Sequence, residues 1–276
     1  MGGLPRPAPR AQTEDVSRSL GRRFALALAG AALGAAVLPA PAFGASTAVN
    51  DLLPDLRVAR LTNLVVQTSS SGHRLLRFTS VIVNVGRGPL VLRGTRSSTS
   101  VSQMAVRQRI YRDNGTSWWL STPYVMGYAG DGHDHWHVQR IASYELRPLS
   151  NLSATPLRGA KVGFCFFDTT AYRLSLPGAP QSLRYPQSLC GTRSSLSASM
   201  GLSVGWGDKY PWNFAWQWID ITGLKGGDYR VCVTADPQDW FAEIEQLNNS
   251  TWADIRISST GSSVQVLRWS MSRCGP

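Results

Sequence analysis

Three of the four histidines of the chain stand at alternating positions in the segment Asp131-Gly-His133-Asp-His135-Trp-His137. Neutral imidazole is a common ligand of transition metals in proteins. On an α-helix the middle ring would point away from the other two. On an extended strand all three rings leave the same face, about 6.5–7 Å apart. The spacing therefore predicts a strand that presents His133, His135 and His137 to one metal ion, the alternative being three surface histidines in a polar loop.

Short β-rich segments recur between turn signals after the first 50 residues. They cover residues 75–84, 91–93, 138–147, 161–168, 217–222, 228–234, 255–257 and 264–267. Segment 138–147 is expected to continue the histidine strand, and Gly226-Gly227 indicates a hairpin before segment 228–234. Helical periodicity is scarce in this part of the chain. The sequence predicts an all-β fold, an antiparallel β-sandwich with long loops and few short helices.

The first 44 residues have the organisation of a secretory signal peptide. Arg22-Arg23 precedes an apolar run at 24–38, and small residues up to Gly44 offer cleavage sites. Because a cleavage site follows the run, a retained membrane anchor is the less favoured interpretation. The arginine pair leaves both the twin-arginine and the general export routes open. The sequence predicts a signal peptide at 1–44 and one secreted or cell-envelope domain at 45–276.

The chain has a formal net charge of +11. Residues 1–44 hold five arginines and two acidic residues, so +8 belongs to the predicted mature part. The arginines are scattered singly and form no RNA-binding motif. The charge therefore indicates a solvated surface, or attraction to an anionic cell envelope, rather than nucleic-acid binding.

Four cysteines, Cys165, Cys190, Cys232 and Cys274, follow the predicted signal. An even number in a secreted chain is typical of two disulfides. The sequence leaves all three pairings open. Free buried thiols and a thiolate ligand for a metal are the alternatives.

The histidine segment resembles the copper-binding His-x-His-x-His segment of the lysyl oxidase family. Further along, Lys161-Val-Gly-Phe-Cys-Phe-Phe-Asp168 resembles the strand that carries the cofactor lysine of that family. The segment 201–210, with 217–222 after it, resembles the one that carries the cofactor tyrosine. These motifs agree in their order, and the resemblance spans roughly residues 53–249.

The resemblance implies a cofactor that is made from the protein itself. In the family, copper(II) and dioxygen convert one tyrosine and one lysine into lysine tyrosylquinone, which oxidises primary amines to aldehydes with release of ammonia and hydrogen peroxide. The implied pair here is Lys161 and Tyr210, with Asp208 as a candidate general base or else a turn residue. Composition supports Lys161, since the chain has three lysines against twenty-five arginines. Arginine could not serve, because its guanidinium stays protonated.

The resemblance also implies a calcium site that ties the first strand to a late loop. Segments 53–56 and 243–249 match family segments that bind calcium. Ca²⁺ prefers hard oxygen ligands from carboxylates, amides and backbone carbonyls. The implied ligands are Asp55, Leu56 (through its carbonyl), Glu243, Glu245, Asn248 and Asn249. The alternative is a hydrated acidic loop.

Some positions depart from the animal enzymes of the family. Residues 129–132 replace a Trp-His pair and a cysteine before the histidines, Trp136 replaces a tyrosine, and there are fewer cysteines. The animal disulfide map and matrix substrates therefore do not transfer. The sequence predicts a secreted copper-dependent amine oxidase for peptidyl lysine or small amines. The alternative is an extracellular β-sandwich that binds copper, zinc or calcium without oxidase activity, in which Lys161 and Tyr210 need not meet.

Overall fold

A computed structural model describes residues 48–129, 133–161 and 163–275 of the chain. The predicted signal peptide at 1–44 lies outside these residues and stays a prediction. Within the described ranges no helix is long and apolar enough to cross a membrane.

The described residues form β-strands and one short 3-10 helix at Gln187–Cys190. In chain order the strands are β1 (Asp51–Leu52), β2 (Leu56–Val58), β3 (Thr62–Thr68), β4 (Arg74–Asn84), β5 (Leu90–Thr95), β6 (Gln103–Arg112), β7 (Ser117–Tyr128), β8 (Trp136–Gln139), β9 (Ala142–Pro148), β10 (Leu157–Arg158), β11 (Gly163–Phe164), β12 (Thr170–Ala171), β13 (Ser197–Leu202), β14 (Trp206–Tyr210), β15 (Trp218–Asp220), β16 (Gly227–Ala235), β17 (Ser250–Ile257) and β18 (Val264–Ser270).

The strands pair into three antiparallel sheets. The seven-stranded sheet has the order β11-β8-β7-β6-β5-β13, with β1 also paired to β6. The five-stranded sheet has the order β10-β9-β16-β17-β18. The six-stranded sheet has the order β12-β14-β4-β15, with β2 and β3 also paired to β4. The prediction of an all-β, antiparallel fold is confirmed.

One hydrophobic core joins the three sheets. It includes Met104 of the seven-stranded sheet, Val231 of the five-stranded sheet and Phe78 of the six-stranded sheet, all fully buried. Strand β6 illustrates this, because its buried residues Met104, Val106 and Ile110 lie at even-numbered positions between more exposed residues and therefore share one face. Burying each such side chain contributes about 1.5–3 kcal/mol.

Strand β4 organises the six-stranded sheet. Its first half pairs with β3 and β15, and its second half pairs with β2 and β14. In this register Tyr210, the last residue of β14, lies opposite Ser80. The long central strand thereby fixes the end of β14 relative to β15.

Two sequence predictions are wrong, one about a continuous strand and one about a hairpin. Segment 138–147 is not one strand, because Arg140 has a positive φ of 60° and separates β8 from β9, which lie in different sheets. The Gly226-Gly227 pair does not close a hairpin between β15 and β16, since β15 pairs with β4 while β16 pairs with β9 and β17. Of segment 161–168, the described residues form a strand only at Gly163–Phe164.

The hairpin of β6 and β7 was not predicted from the sequence. The two strands pair from Gln103↔Gly127 to Tyr111↔Ser117, with a register shift between Ala105 and Arg107. Strand β7 has only two buried residues, Tyr124 and Met126, so its period-2 pattern is weak. Asn114-Gly115 between the strands is the hairpin signal that would have found it.

The cysteine pairing is now defined, as Cys165–Cys190 and Cys232–Cys274. We expect the double variant Cys232→Ala/Cys274→Ala to unfold more easily, because this disulfide closes a loop of 42 residues. The free energy of unfolding should fall by about 3–4 kcal/mol by the loop-entropy estimate. Urea denaturation followed by tryptophan fluorescence measures it, and an unchanged midpoint would contradict the prediction.

Candidate functional site

The three histidine rings converge, although not from one strand as predicted. Strand β8 begins at Trp136, so His137 alone of the three lies within it. Asp134 has a positive φ of 45° and turns the chain between His133 and His135. The ring centroids are nevertheless 4.7 Å apart for His135 and His137, and 5.8 and 5.6 Å from these two to His133.

The closest histidine pair has the spacing of two ligands on one ion. The Nε2 atoms of His135 and His137 are 2.9 Å apart, and two imidazole nitrogens bound at about 2 Å would be roughly 3 Å apart. Burial lowers the pKa of His137 to about 2, with further lowering from Lys161 and the other two histidines. The ring is therefore neutral, which is the form that binds metals.

Copper binding itself stays a prediction. Across the described ranges no group of three or more His, Cys, Asp or Glu side chains forms a complete metal-binding set. His133, the most distant ring, is the one that would have to approach. The imidazole nitrogens of the three histidines suit copper, and zinc is the alternative metal.

Lys161 and Tyr210 meet in the structure, although 49 residues separate them in the sequence. Lys161 is only 4% exposed, and its Nζ lies 4.8 Å from the centroid of the Tyr210 ring. The Tyr210 hydroxyl donates to the Cys165 carbonyl at 3.2 Å, and Phe164 packs edge-on against the ring. Burial and the neighbouring Asp208 raise the pKa of Tyr210 well above its ordinary value, so the phenol is neutral.

The chain before and after Lys161 is anchored to two sheets. On one side, the Ala160 N–H donates to the Trp218 carbonyl at 3.0 Å, which joins it to the six-stranded sheet. On the other side, Gly163 pairs with Gln139 of β8 in the seven-stranded sheet. A Cβ at Gly163 would lie 3.0 Å from the Cβ of His137, so glycine permits this close approach. The lysine is thus held next to the histidine cluster.

Asp208 shares the buried face of β14 with Tyr210. The two residues alternate with the exposed Lys209, as a strand requires. Both carboxyl oxygens of Asp208 are buried without a hydrogen-bond partner among the described residues. Burial raises its pKa well above the usual range, and the Tyr210 hydroxyl and Lys161 offset this in part. A buried carboxyl with a raised pKa beside the Tyr210 ring is suited to proton transfer.

A buried polar network that includes Ser80, the strand partner of Tyr210, was not predicted from the sequence. Gln217 accepts from the Tyr144 hydroxyl at 3.2 Å and donates to the Phe78 carbonyl and to Ser80 Oγ, both at 3.1 Å. Ser80 and Tyr144 hydroxyls are 2.9 Å apart. Gln217 is fully buried in the structure, and the only signal in the sequence was its place at the start of segment 217–222.

Phe214 is a second residue that the sequence did not single out. Its ring is 41% exposed and lies 6.1 Å from the His133 ring and 6.5 Å from the Tyr210 ring. The guanidinium of Arg77 donates to the Trp212 and Phe214 carbonyls and lies 4.6 Å from the Trp218 ring, which holds this loop in place. Phe214 is therefore a partly exposed aromatic residue close to both His133 and Tyr210.

Four of the six predicted calcium ligands form one polar cluster. Asn248 donates to Asp55 at 2.9 Å, and Asn249 donates to Glu243 at 3.0 Å. The side-chain carbonyl oxygens of both asparagines are buried and lack a partner within the described chain. Two carboxylates and two such carbonyls are the hard donors that Ca²⁺ prefers.

The other two predicted ligands are placed differently. Leu56 directs its N–H to the Glu243 carboxylate. Glu245 is exposed and accepts from the Leu247 N–H at 2.8 Å. Burial raises the pKa of Glu243 well above its usual range, although the Leu56 N–H lowers it. A cation beside Glu243 would favour its charged form.

The fold and the site define an all-β protein in which a histidine cluster adjoins a buried lysine–tyrosine pair. Residues 129–268 match the family model described as lysyl oxidase. The chain belongs to the lysyl oxidase family, as the sequence motifs predicted.

Curated relatives agree with this assignment. Lysyl oxidase homolog 2B of Danio rerio is 29% identical over 200 residues, which is 70% of this chain and 21% of the relative. Protein-lysine 6-oxidase of Homo sapiens is 30% identical over 153 residues, 55% of this chain and 33% of the relative. The protein of the same name from Sus scrofa is 29% identical over 55% of each chain. The chain thus matches a fifth to a third of the length of the first two relatives.

Proposed function

We propose that the chain is a copper-dependent amine oxidase that uses lysine tyrosylquinone made from Lys161 and Tyr210. One primary amine, one dioxygen and one water would give one aldehyde, one ammonia and one hydrogen peroxide. The substrate amine is peptidyl lysine or a small molecule. The observation that carries the proposal is the 4.8 Å approach of the buried Lys161 amine to the Tyr210 ring beside the histidines. Membership of the lysyl oxidase family supports it.

The side chains have distinct roles in this proposal. His133, His135 and His137 would hold copper(II) through neutral nitrogens, and the quinone, once formed, supplies an electron-accepting carbonyl. Lys161 supplies the amine that joins the ring, and it already lies against one face of that ring. Phe164 packs on the ring from inside the protein and Phe214 stands at the solvent side. Both rings would reduce the access of water to the site, which would strengthen electrostatic interactions there.

The direct test is the covalent link itself. Purified protein is loaded with copper under air, then examined for a quinone absorbance band and by quinone redox staining. Mass spectrometry of a proteolytic digest should find one cross-linked peptide that joins Lys161 to Tyr210. Two unmodified residues after this treatment would leave a metal-binding β-sandwich without oxidase activity as the better description.

Asp208 is proposed as the group that accepts a proton from the substrate. We expect Asp208→Asn to lower kcat by about 10²–10⁴-fold, the usual contribution of a general base. Because the pKa of Asp208 is raised, wild-type kcat should fall as the pH decreases through that pKa. Asparagine does not titrate, so the variant should lose this acidic limb. The measurement is kcat against pH in a peroxide-coupled assay.

Two controls separate this role from a structural one. Asp208→Asn should still give the quinone band, which shows that the site has assembled. Asp220→Asn changes an exposed aspartate that pairs with His73 and should leave the rate and the profile unchanged. A variant at Asp208 with wild-type rate and pH profile would contradict the assignment.

We also propose that the cluster of Asp55, Glu243, Asn248 and Asn249 binds Ca²⁺, with Glu245 and the Leu56 carbonyl as further predicted ligands. Ca²⁺ at 100 times its Kd should stabilise the protein by about 2.7 kcal/mol. Thermal unfolding in Ca²⁺ and in EGTA measures the effect. Glu243→Gln should remove the difference, whereas Asp239→Asn, at an exposed position, should keep it. Equal melting temperatures in Ca²⁺ and EGTA would contradict the proposal.

The same proposal includes export of the protein. Residues 1–44 would be removed as a signal peptide, and residues 45–276 would act as the catalytic domain outside the cytoplasm. The two disulfides support this, because such bonds persist in oxidising compartments. Mass spectrometry of the N-terminus of the exported protein tests the cleavage position.

A further inference from the structure

The outward face of the seven-stranded sheet carries a row of positive charge. The register of β5 and β6 places Arg93 directly opposite Arg107, and Arg109 follows two residues later on the same face. Arg93 and Arg107 are exposed, and Arg109 is half-buried. We call these three residues the arginine row.

Within the described residues this charge faces aromatic rings rather than carboxylates, since the Arg109 guanidinium lies 4.9 Å from the Tyr111 ring and 5.8 Å from the Trp119 ring. Like charges directly opposite on neighbouring strands are destabilising. Arg107 donates to the Trp119 carbonyl at 3.4 Å and Arg109 to Ser117 Oγ at 3.0 Å, and both acceptors are uncharged. Among the described residues, no carboxylate forms an ion pair with the arginine row, whereas the nearby Arg112 does pair with Asp51. The arrangement is therefore suited to an anion from outside the chain.

The surface around the arginine row has groups that suit a sugar polymer. A shallow pocket of about 120 Å³ is lined by Arg93, Thr95, Arg107 and Trp119. Ser199 lies opposite Arg93 on one side, and Ser121 lies opposite Arg107 on the other. The four positions cross β13, β5, β6 and β7, a distance of about 14 Å at the usual strand spacing.

We propose that the arginine row binds an anionic polysaccharide. Guanidinium groups bind carboxylates and sulfates through paired, charge-assisted hydrogen bonds. The hydroxyl groups of Thr95, Ser121 and Ser199 match sugar hydroxyls, and Trp119 adds an apolar surface. This function is independent of amine oxidation and would hold the protein on an acidic glycan outside the cell.

Binding of the full exported protein to polygalacturonate, measured by biolayer interferometry at low salt, tests the proposal. Wild-type protein should bind, and binding should weaken with added salt because exposed charges are screened. The double variant Arg93→Gln/Arg107→Gln should bind at least about 10-fold more weakly, since each lost charge-assisted contact is worth that much. Arg173→Gln/Arg273→Gln removes the same charge from exposed positions elsewhere and should bind like the wild type.

Other ligands distinguish a polysaccharide site from a general polyanion surface. Polyglutamate of equal charge, DNA and anionic lipid vesicles should each bind more weakly than polygalacturonate, and neutral dextran should not bind. Equal or tighter binding of any of these, or equal losses in both double variants, would overturn the proposal. The urea midpoint of Arg93→Gln/Arg107→Gln should be unchanged or higher, because the variant relieves like-charge repulsion. A lower midpoint would show that the arginines are structural, which also overturns it.

Discussion

Lys161→Arg is expected to abolish amine oxidation while copper binding remains. The lysine amine lies 4.8 Å from the Tyr210 ring and would have to form a covalent bond with it. A guanidinium stays protonated and is a poor nucleophile, so the cofactor could not form. Turnover should fall to the background of the peroxide assay. Metal analysis should still find copper, because none of the three imidazoles is changed.

Two further variants make this result specific. Lys161→Met is close to lysine in length and carries no charge, so it should also lack turnover without placing a larger group in the buried site. Lys209→Arg changes the exposed lysine next to Tyr210 and should retain both turnover and the quinone band. If Lys161→Arg or Lys161→Met kept the quinone band, Lys161 would not be the cofactor lysine.

The sequence predicted which residue types form the site, but it did not predict how the backbone positions them. The pattern of three histidines indicated a metal cluster, and the rings do converge. The predicted cause was one extended strand that carries all three histidines. This is wrong, because the backbone at Asp134 is left-handed. A positive φ at a residue other than glycine leaves little trace in the sequence, although aspartate adopts it more readily than most. Arg140, which divides the predicted strand 138–147, also has a positive φ that the sequence does not reveal.

The pairing of strands that are far apart in the chain could not be predicted from the sequence either. Most predicted strands exist, because alternation is a local pattern. Their partners depend on residues far along the chain, as when β4 pairs with β14 and β15 more than 100 residues later. The opposition of Arg93 and Arg107 depends on the exact register of the neighbouring strands β5 and β6, which the alternation pattern does not give either. The fold class followed from composition and turns, whereas the disulfide pairs and the arginine row required the structure.

Loss of the His135 ring is expected to prevent both copper binding and cofactor formation, because His135 and His137 are positioned as a pair of ligands. Their Nε2 atoms are 2.9 Å apart, the spacing of two ligands on one ion. His135→Ala removes one of these two nitrogens and should lower copper affinity more than about 100-fold, the upper range for loss of an outer-shell partner of a ligand. Without bound copper the quinone should not form, so the variant should lack copper, cross-linked peptide and turnover together. Lys161→Arg, by contrast, should lack only the last two.

The fourth histidine provides the matched control for this prediction. His73 has a half-exposed side chain and pairs with Asp220, outside the histidine cluster. His73→Ala should therefore keep copper, quinone and activity. Metal analysis, quinone staining and peptide mapping of the two variants and the wild type give the comparison. Copper at wild-type stoichiometry in His135→Ala would mean that the ion is held elsewhere. Because the proposed quinone would require copper beside Tyr210, the proposed oxidase would then lose the metal on which its cofactor depends.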